Sequence, residues 1–506
     1  MAWKVDTAVT VVVRRAPRGR STLPIPAILG AVSRLTAREL IDLVLDPDSW
    51  ESWDEPVDHT VHPEPYRTDL LAAAERAGTD ESVITGRALM RGRPVAVLVN
   101  EFKFLAGSIG QVAAERIVRA VRRATAEGIP VLATTASGGT RMQEGTPAFV
   151  RMVDISRALM DHKAAGLPYL IYLRHPTTGG VFASWGSLGH ITIAEPGALI
   201  GFLGPKVYEL LNGAPFPPGI QTSDNLANRG IIDAVVMPEE LPFMVDTALS
   251  ILIDPPGESS RERRPAATER RHDAWDSVLL TRTPDRPGVR EVLRWGTDEI
   301  IRLQGTERGE RDAAMIVALA RIDGEPCIVI GQDRTTQSRI KPMGPAALRE
   351  ARRGMKLANE LGLPLVSFID TPGAELSPDA EQGAIAGEIA RCISSMSTMR
   401  VPSVSVLLGQ GCGGGALALL PASRTIAAEN SWLSPLPPEG ASAIVFGDVD
   451  HAAQLATEQR ISAFDLYESG AVHHLVPEPE GDDPEAFARA LAAEVAHHLR
   501  ELRGRA

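Results

Sequence analysis

The chain has 506 residues, 44% apolar and 23% charged, an ordinary globular composition that is too long for one hydrophobic core. Its net charge of −12, from 52 Lys and Arg against 64 Asp and Glu, excludes the basic field that a non-specific nucleic-acid binder needs. No run of 18 apolar residues offers to span a membrane, and the widely spaced Cys327, Cys392 and Cys412 supply neither a disulfide framework nor a cysteine-rich zinc site.

Residues 1–20 are interrupted by Lys4, Asp6 and the cluster Arg14, Arg15, Arg18 and Arg20. This leaves 8–13 as the only apolar stretch, too weak for a signal peptide, so the cytoplasm is the expected compartment. Continuous apolar runs follow at 95–99, 131–134 and 169–173, and again at 327–330, 365–369 and 404–408. Runs without polar alternation suit strands covered on both faces, as in parallel sheets with helical crossovers. Residues 112–125 and 346–361 place apolar side chains at helical spacing, with Arg and Glu on the other face. Between the halves, 255–273 (PPGESSRERRPAATERRHD) has no periodicity and is expected to be a solvent-exposed linker. The reading is α/β, with one domain over 1–254 and a second over 274–506.

The two halves share a register. Pro130 and Pro364, Ser137-Gly138-Gly139 and Thr371-Pro372-Gly373, Pro168 and Pro402, Gly179 and Gly413, and Glu195 and Glu429 all stand 234 residues apart. Landmarks at one such offset indicate duplicated domains, since the period is far too long for a solenoid.

Two glycine turns carry the chemistry. Thr177-Thr178-Gly179-Gly180-Val181 and Gly411-Cys412-Gly413-Gly414-Gly415-Ala416 each follow a buried strand and precede a short helix, expected at 182–188 and 417–420. Successive N–H groups at a helix start converge on one point of partial positive charge, an arrangement that stabilises an enolate or ureido oxygen. Close helix–strand packing would also use such glycines, but their recurrence in both copies favours the functional reading.

Other motifs lead elsewhere. Gly409-Gln410-Gly411-Cys412-Gly413-Gly414 fits the dinucleotide fingerprint, with Glu429 placed 20 residues on. Pro421, however, leaves too little helix for a crossover. No P-loop is present, and Gly354-Met355-Lys356-Leu357, which has the Met-Lys pair of a biotinylated lysine, lies in an amphipathic helical stretch and is read as ordinary helix surface. His162, His175, His190, His473 and His474 are scattered without a triad order. His190, near the first turn, is read as structural before catalytic.

At these motifs the sequence resembles a known family. Residues 100–205, with FKFLAGSIG, TTASGGTRMQEG, TTGGVFASWGSLG and IAEPGALIGFLGP, are similar to the β subunit of bacterial acetyl-CoA carboxylase carboxyltransferase, as is the lead-in 37–54. Residues 344–444, with FIDTPGAE, GQGCGGGALAL and PPEGASAI, are similar to the α subunit, as is 274–287. The resemblance implies two tandem crotonase-like (ClpP/crotonase ββα superhelix) domains. It implies carboxyl transfer from biotin on a carrier protein, charged by biotin carboxylase, to a short acyl-CoA such as acetyl-CoA, giving malonyl-CoA.

By the same resemblance, Gly179 and Gly180 face the acyl-CoA thioester, while Gly414, Gly415 and Ala416 face the biotin ureido carbonyl. Ser137, Gly138, Gly139 and Arg141 form the CoA-side loop, with Arg141 able to meet a phosphate. Thr371, Pro372, Gly373 and Ala374 flank the second turn. A homodimer or larger even oligomer is implied, in which the β-like half of one protomer meets the α-like half of another. The β subunit's four-cysteine zinc ribbon is absent. Gln410, His190 and Glu375 depart from the family pattern, which leaves the acyl preference open. A malonyl-thioester decarboxylase and a non-catalytic partner of another carboxyltransferase remain as alternatives.

Overall fold

The computed structural model describes residues 34–261, 263, 272–337, 342–479 and 483–504. The N-terminal arginine cluster and, within 255–273, residues 262 and 264–271 lie outside the described residues. Two compact units part between Ser250 and Ile251. No described helix is long and apolar enough to cross a membrane.

In the first unit, Glu51–Ser52 (β1), Val83–Met90 (β2), Arg93–Asn100 (β3), Val131–Ser137 (β4), Tyr169–Thr178 (β5), Ile191–Ala194 (β6), Ile200–Gly201 (β7) and Ala234–Val235 (β8) build one sheet. Its order is β1-β2-β3-β4-β5-β6-β8, with β7 beside β5. From β3 onward all pairs are parallel. The sheet is mixed all the same, because β2 and β3 form an antiparallel hairpin. Its turn, Arg91-Gly92, holds both residues at positive φ, the geometry whose twist matches two paired strands.

The second unit repeats this plan with Thr297–Leu303 (β9), Met315–Ile322 (β10), Glu325–Gln332 (β11), Leu365–Thr371 (β12), Ser403–Cys412 (β13), Arg424–Ala428 (β14), Trp432–Ser434 (β15) and His474–Val476 (β16). The order is β16-β14-β13-β12-β11-β10-β9, with β15 beside β13. Here Asp323-Gly324 turns the hairpin, at φ 44° and 85°. The parallel sheets expected from the apolar runs thus each begin antiparallel, since a two-residue turn can join only antiparallel neighbours.

Helices Gln111–Glu127 (α1) and Pro345–Leu361 (α2) occupy the same place in each copy. Buried Ala113, Ile117, Ala120, Val121 and Ala124 on α1 answer to Ala347, Ala351, Gly354, Met355 and Ala358 on α2, one apolar stripe at 3.6-residue spacing. Both helices start at a glycine, Gly110 or Gly344, and end at a left-handed glycine, Gly128 or Gly362. Beneath α1 the core of the first unit includes Leu98, Ala133, Ile171 and Trp185. In the second, Val329, Phe368, Val406 and Leu491 lie in the core.

The described part of the expected linker is exposed apart from Arg261, and it is anchored to the second unit. Gly257 N–H donates to Gly324 O at 2.8 Å, and Ser259, Ser260 and Arg261 all bond the Asp323 carboxylate. That carboxylate sits at the β10–β11 hairpin turn, where the segment satisfies it.

Candidate active site

Each glycine turn grows out of a strand without an intervening loop. β5 runs into the helix Gly179–Phe182, and β13 into Gly413–Leu417. The helices therefore start on the glycines themselves rather than after them, as the sequence suggested. Gly179 and Gly413 both have φ of 64°, a left-handed conformation that strains any other residue. A Cβ on Gly179 would come within 3.3 Å of Gly138 O and Gly139 Cα, so the two loops touch backbone to backbone.

The first three amides of a helix have no acceptor inside it. Gly179 N–H is already donated to Phe202 O at 3.0 Å, which removes it from the expected donor pair. Gly180, half-exposed, keeps its amide, and the neighbouring loop supplies a second at Thr140. Among the described residues neither amide has an acceptor. A Cβ built on Gly180 would lie 3.9 Å from Thr140 N and 2.9 Å from Thr140 Oγ1.

Ser137 organises this loop: its Oγ donates to Gly107 O at 2.5 Å and accepts from Gly139 N–H at 3.0 Å. Gly138 N–H donates to Ala106 O at 2.9 Å. Ala106 stands between Leu105 and Gly107 in three successive positive-φ residues (43°, 55° and 63°), backbone strain held against the turn.

The second turn follows the same pattern. Gly413 and Gly414 are half-exposed while Gly415 and Ala416 are buried, so the position equivalent to Gly180 is Gly414, the first residue of the expected grouping. Ala374 takes the place of Thr140: Met343 bridges Ala374 as Ile109 bridges Thr140. A Cβ on Gly415 would be 3.3 Å from Ala374 N. Thr371 Oγ1 accepts Gly373 N–H at 3.1 Å, as Ser137 does for Gly139, and exposed Pro372 sits at the tip.

Below the second turn lies a buried polar brace. Gln332 Nε2 donates to Gly415 O at 2.8 Å, and its Oε1 accepts Asp370 N–H at 3.0 Å. Asp370 Oδ1 in turn accepts Gln410 N–H at 3.0 Å. Burial pushes the Asp370 carboxyl up, against the pull of Arg334 and Arg286. Gly409 must be glycine here, because a Cβ would stand 2.6 Å from Asp370 Oδ1.

Arg141 is not at the surface to meet a phosphate. It is 1% exposed and gripped by the equally buried Glu81, with Glu144 at 3.3 Å and the Phe104 ring 5.3 Å away. Burial alone would lower its pKa, but the Glu81 carboxylate outweighs it and holds the guanidinium charged. Glu144 meanwhile caps α1 through Gln111 N–H at 2.6 Å. Arg141 thus fixes the loop and a helix start.

His190 is fully buried and exchanges backbone and ring bonds with Tyr169, at 2.8 and 3.0 Å, a structural tie between strands. Gly409 and Gly411 lie inside β13, and the helix after them is five residues long, so no dinucleotide unit forms. Lys356 sits 61% exposed on α2 beside Glu360. Thr140 and Asp370 lie within the quoted motifs TTASGGTRMQEG and FIDTPGAE without being singled out there, and Gln332 has no sequence signal of its own.

A model of the carboxyl transferase domain matches residues 31–478. The chain is 56% identical over 478 residues to the probable biotin-dependent acyl-coenzyme A carboxylase beta3 subunit of Mycobacterium tuberculosis, covering 93% of this chain and 96% of that one. It is 36% identical to the acetyl-coenzyme A carboxylase carboxyl transferase subunits beta/alpha of Salinispora arenicola, covering 95% and 90% of the two chains. Among solved structures, transcarboxylase 12S superposes with a TM-score of 0.73 at 21% identity, over 93% of this chain and 90% of that one. That likeness gives the fold, two tandem crotonase-like domains.

Proposed function

Because the chain belongs to the carboxyl transferase family of biotin-dependent acyl-CoA carboxylases, we propose that it carboxylates the α-carbon of a short acyl-CoA, acetyl-CoA among them, to give malonyl-CoA or its homologue. The observation that carries this reading is the duplicated glycine turn: Gly180 lies beside Thr140 in the first unit, and Gly414 and Ala374 hold the equivalent positions in the second. Carboxybiotin on a separate carrier, charged by biotin carboxylase, supplies the carboxyl group and a basic ureido nitrogen when bound.

In this reading the first pair holds the thioester oxygen as the α-proton leaves and negative charge builds on it. The second pair holds the ureido oxygen. One preorganised donor of this kind is worth roughly 3–4 kcal/mol of barrier. The residues fit the two oxygens, since among the described residues the Thr140, Gly180, Ala374 and Gly414 amides donate to no backbone carbonyl.

No side-chain nucleophile is required, and the nearest thiol is unsuited to be one. Burial pushes Cys412 up to about 11, so it stays protonated at neutral pH. The thioester turn of one copy is proposed to work with the ureido turn of another, so activity requires an even oligomer.

The test is reconstitution with biotin carboxylase, carrier protein, ATP and labelled bicarbonate. Acid-stable label in acetyl-CoA or propionyl-CoA is the expected result. Absence of label with every short acyl-CoA, from a mixture whose carrier is demonstrably carboxylated, would overturn the proposal. Full activity from a particle that light scattering finds monomeric would overturn the shared-site part of it.

A further inference from the structure

Histidines that look scattered along the sequence meet in the second unit. His474 opens β16, the end strand of its sheet, and Glu494 and His498 stand four residues apart on helix Pro484–Arg503 (α3). Residues so spaced share one helix face. His474 Nε2 and His498 Nε2 each lie 3.3 Å from the same oxygen, Glu494 Oε1. Both nitrogens are buried, and neither meets the geometry of a hydrogen bond to any described atom. One ligand atom from each of the three residues fits within 4.8 Å of the others.

We propose that His474, Glu494 and His498 form a site for one divalent transition-metal ion, with Zn²⁺ the best match, clipping the end strand to the last helix. Two imidazole nitrogens and one carboxylate oxygen are a donor set that zinc accepts with a fourth position open. Metal–ligand bonds near 2.0–2.2 Å in a tetrahedron place ligand atoms about 3.4 Å apart, and the two nitrogen–oxygen separations are 3.3 Å.

The surrounding groups have the character of an outer shell. Glu501 Oε2 lies 3.5 Å from His498 Nδ1, on the far side of the ring from Nε2. His498 Nδ1 makes no hydrogen bond to a described atom, so this carboxylate acts on the ring through its charge. Arg263 Nε and Nη2 hold Glu494 Oε2 and Oε1 at 3.0 and 2.9 Å, fixing the carboxylate plane. The guanidinium also repels a cation, so the site is weaker than the same three ligands would be without it. His497, the remaining histidine of this face, belongs with Glu501 at 3.5 Å rather than with Glu494.

The alternative is a plain ion-pair cluster in which both imidazoles merely neighbour the carboxylate. Titration calorimetry with ZnCl₂ on the full, untagged, chelator-stripped chain separates the two. The expected result is one Zn²⁺ per chain, with His474→Ala, Glu494→Gln and His498→Ala each weakening binding about tenfold or more, and His497→Ala leaving it unchanged. Sub-stoichiometric binding, or binding indifferent to Glu494→Gln, would overturn the proposal. Should the substituted chains fail to fold, Co²⁺ added to the unsubstituted chain decides. An intense visible spectrum of four-coordinate cobalt, abolished by Zn²⁺, supports the site; the faint spectrum of six-coordinate, surface-bound cobalt refutes it.

Discussion

Gln332 ties Gly415 to the strand beneath it. Its amide nitrogen donates to the Gly415 carbonyl at 2.8 Å while its amide oxygen accepts Asp370 N–H at 3.0 Å. One fully buried side chain therefore sets the orientation of the glycine turn on the proposed ureido side. Gln332→Ala strands two buried backbone groups, at about 1–3 kcal/mol each, and frees the turn to tilt. The expected outcome is a fall in kcat of about tenfold or more, with KM for acyl-CoA little changed because the thioester turn is in the other unit. A change confined to acyl-CoA KM would contradict this assignment.

Gly180 and Gly414 are equivalent positions, and a side chain at either presses on a neighbouring side chain. A Cβ would stand 2.9 Å from Thr140 Oγ1 at Gly180 and 2.8 Å from Ile389 Cδ1 at Gly414. Valine at either position should displace the donor amides and lower kcat by about 10²–10³ while the far-ultraviolet circular dichroism stays that of the parent. Retention of full activity by Gly180→Val would remove the first turn from the mechanism.

The extent to which the sequence announced this site depends on the kind of signal. The helix read over 112–125 is found as Gln111–Glu127, and that over 346–361 as Pro345–Leu361, because 3.6-residue periodicity is a local property. The six apolar runs all lie within strands. The apolar runs alone do not reveal the hairpins, although Asp323-Gly324 is a two-residue turn signal of the usual type. The exact donors were not legible: Gly179 loses its amide to Phe202, a residue brought near by β7, whose pairing no local pattern reveals. An arginine in a polar loop reads as exposed, and only Glu81, 60 residues earlier, shows why Arg141 is not.

Arg141 consequently belongs to stability rather than to CoA recognition. Removing one partner of a buried ion pair costs roughly 3–5 kcal/mol, because the other charge is left unmatched. Arg141→Ala should lower the thermal midpoint strongly, and the double variant with Glu81→Ala should recover part of the loss. Comparing acyl-CoA with its 3′-dephospho form provides the decisive control. Arg141→Lys should keep the parent's ratio of the two kcat/KM values, whereas a phosphate ligand would bring that ratio toward one.

Glu350 gives the fold a pH dependence of defined sign. Burial raises its carboxyl to about 7, even though it accepts Asp312 N–H at 2.5 Å. The folded value stands above the ordinary 4.5, so the folded chain retains a proton that the unfolded chain has released. The stabilising contribution of that proton is complete below about 4.5, declines as pH rises through 7, and stays lost above it. Glu350→Gln keeps the acceptor oxygen and removes the titration. Its stability should match the parent's near pH 4 and exceed it at pH 8 by on the order of 3 kcal/mol. Denaturant unfolding of both chains across that range measures the difference, and parallel stability curves would show that Glu350 carries its charge in the folded chain at neutral pH.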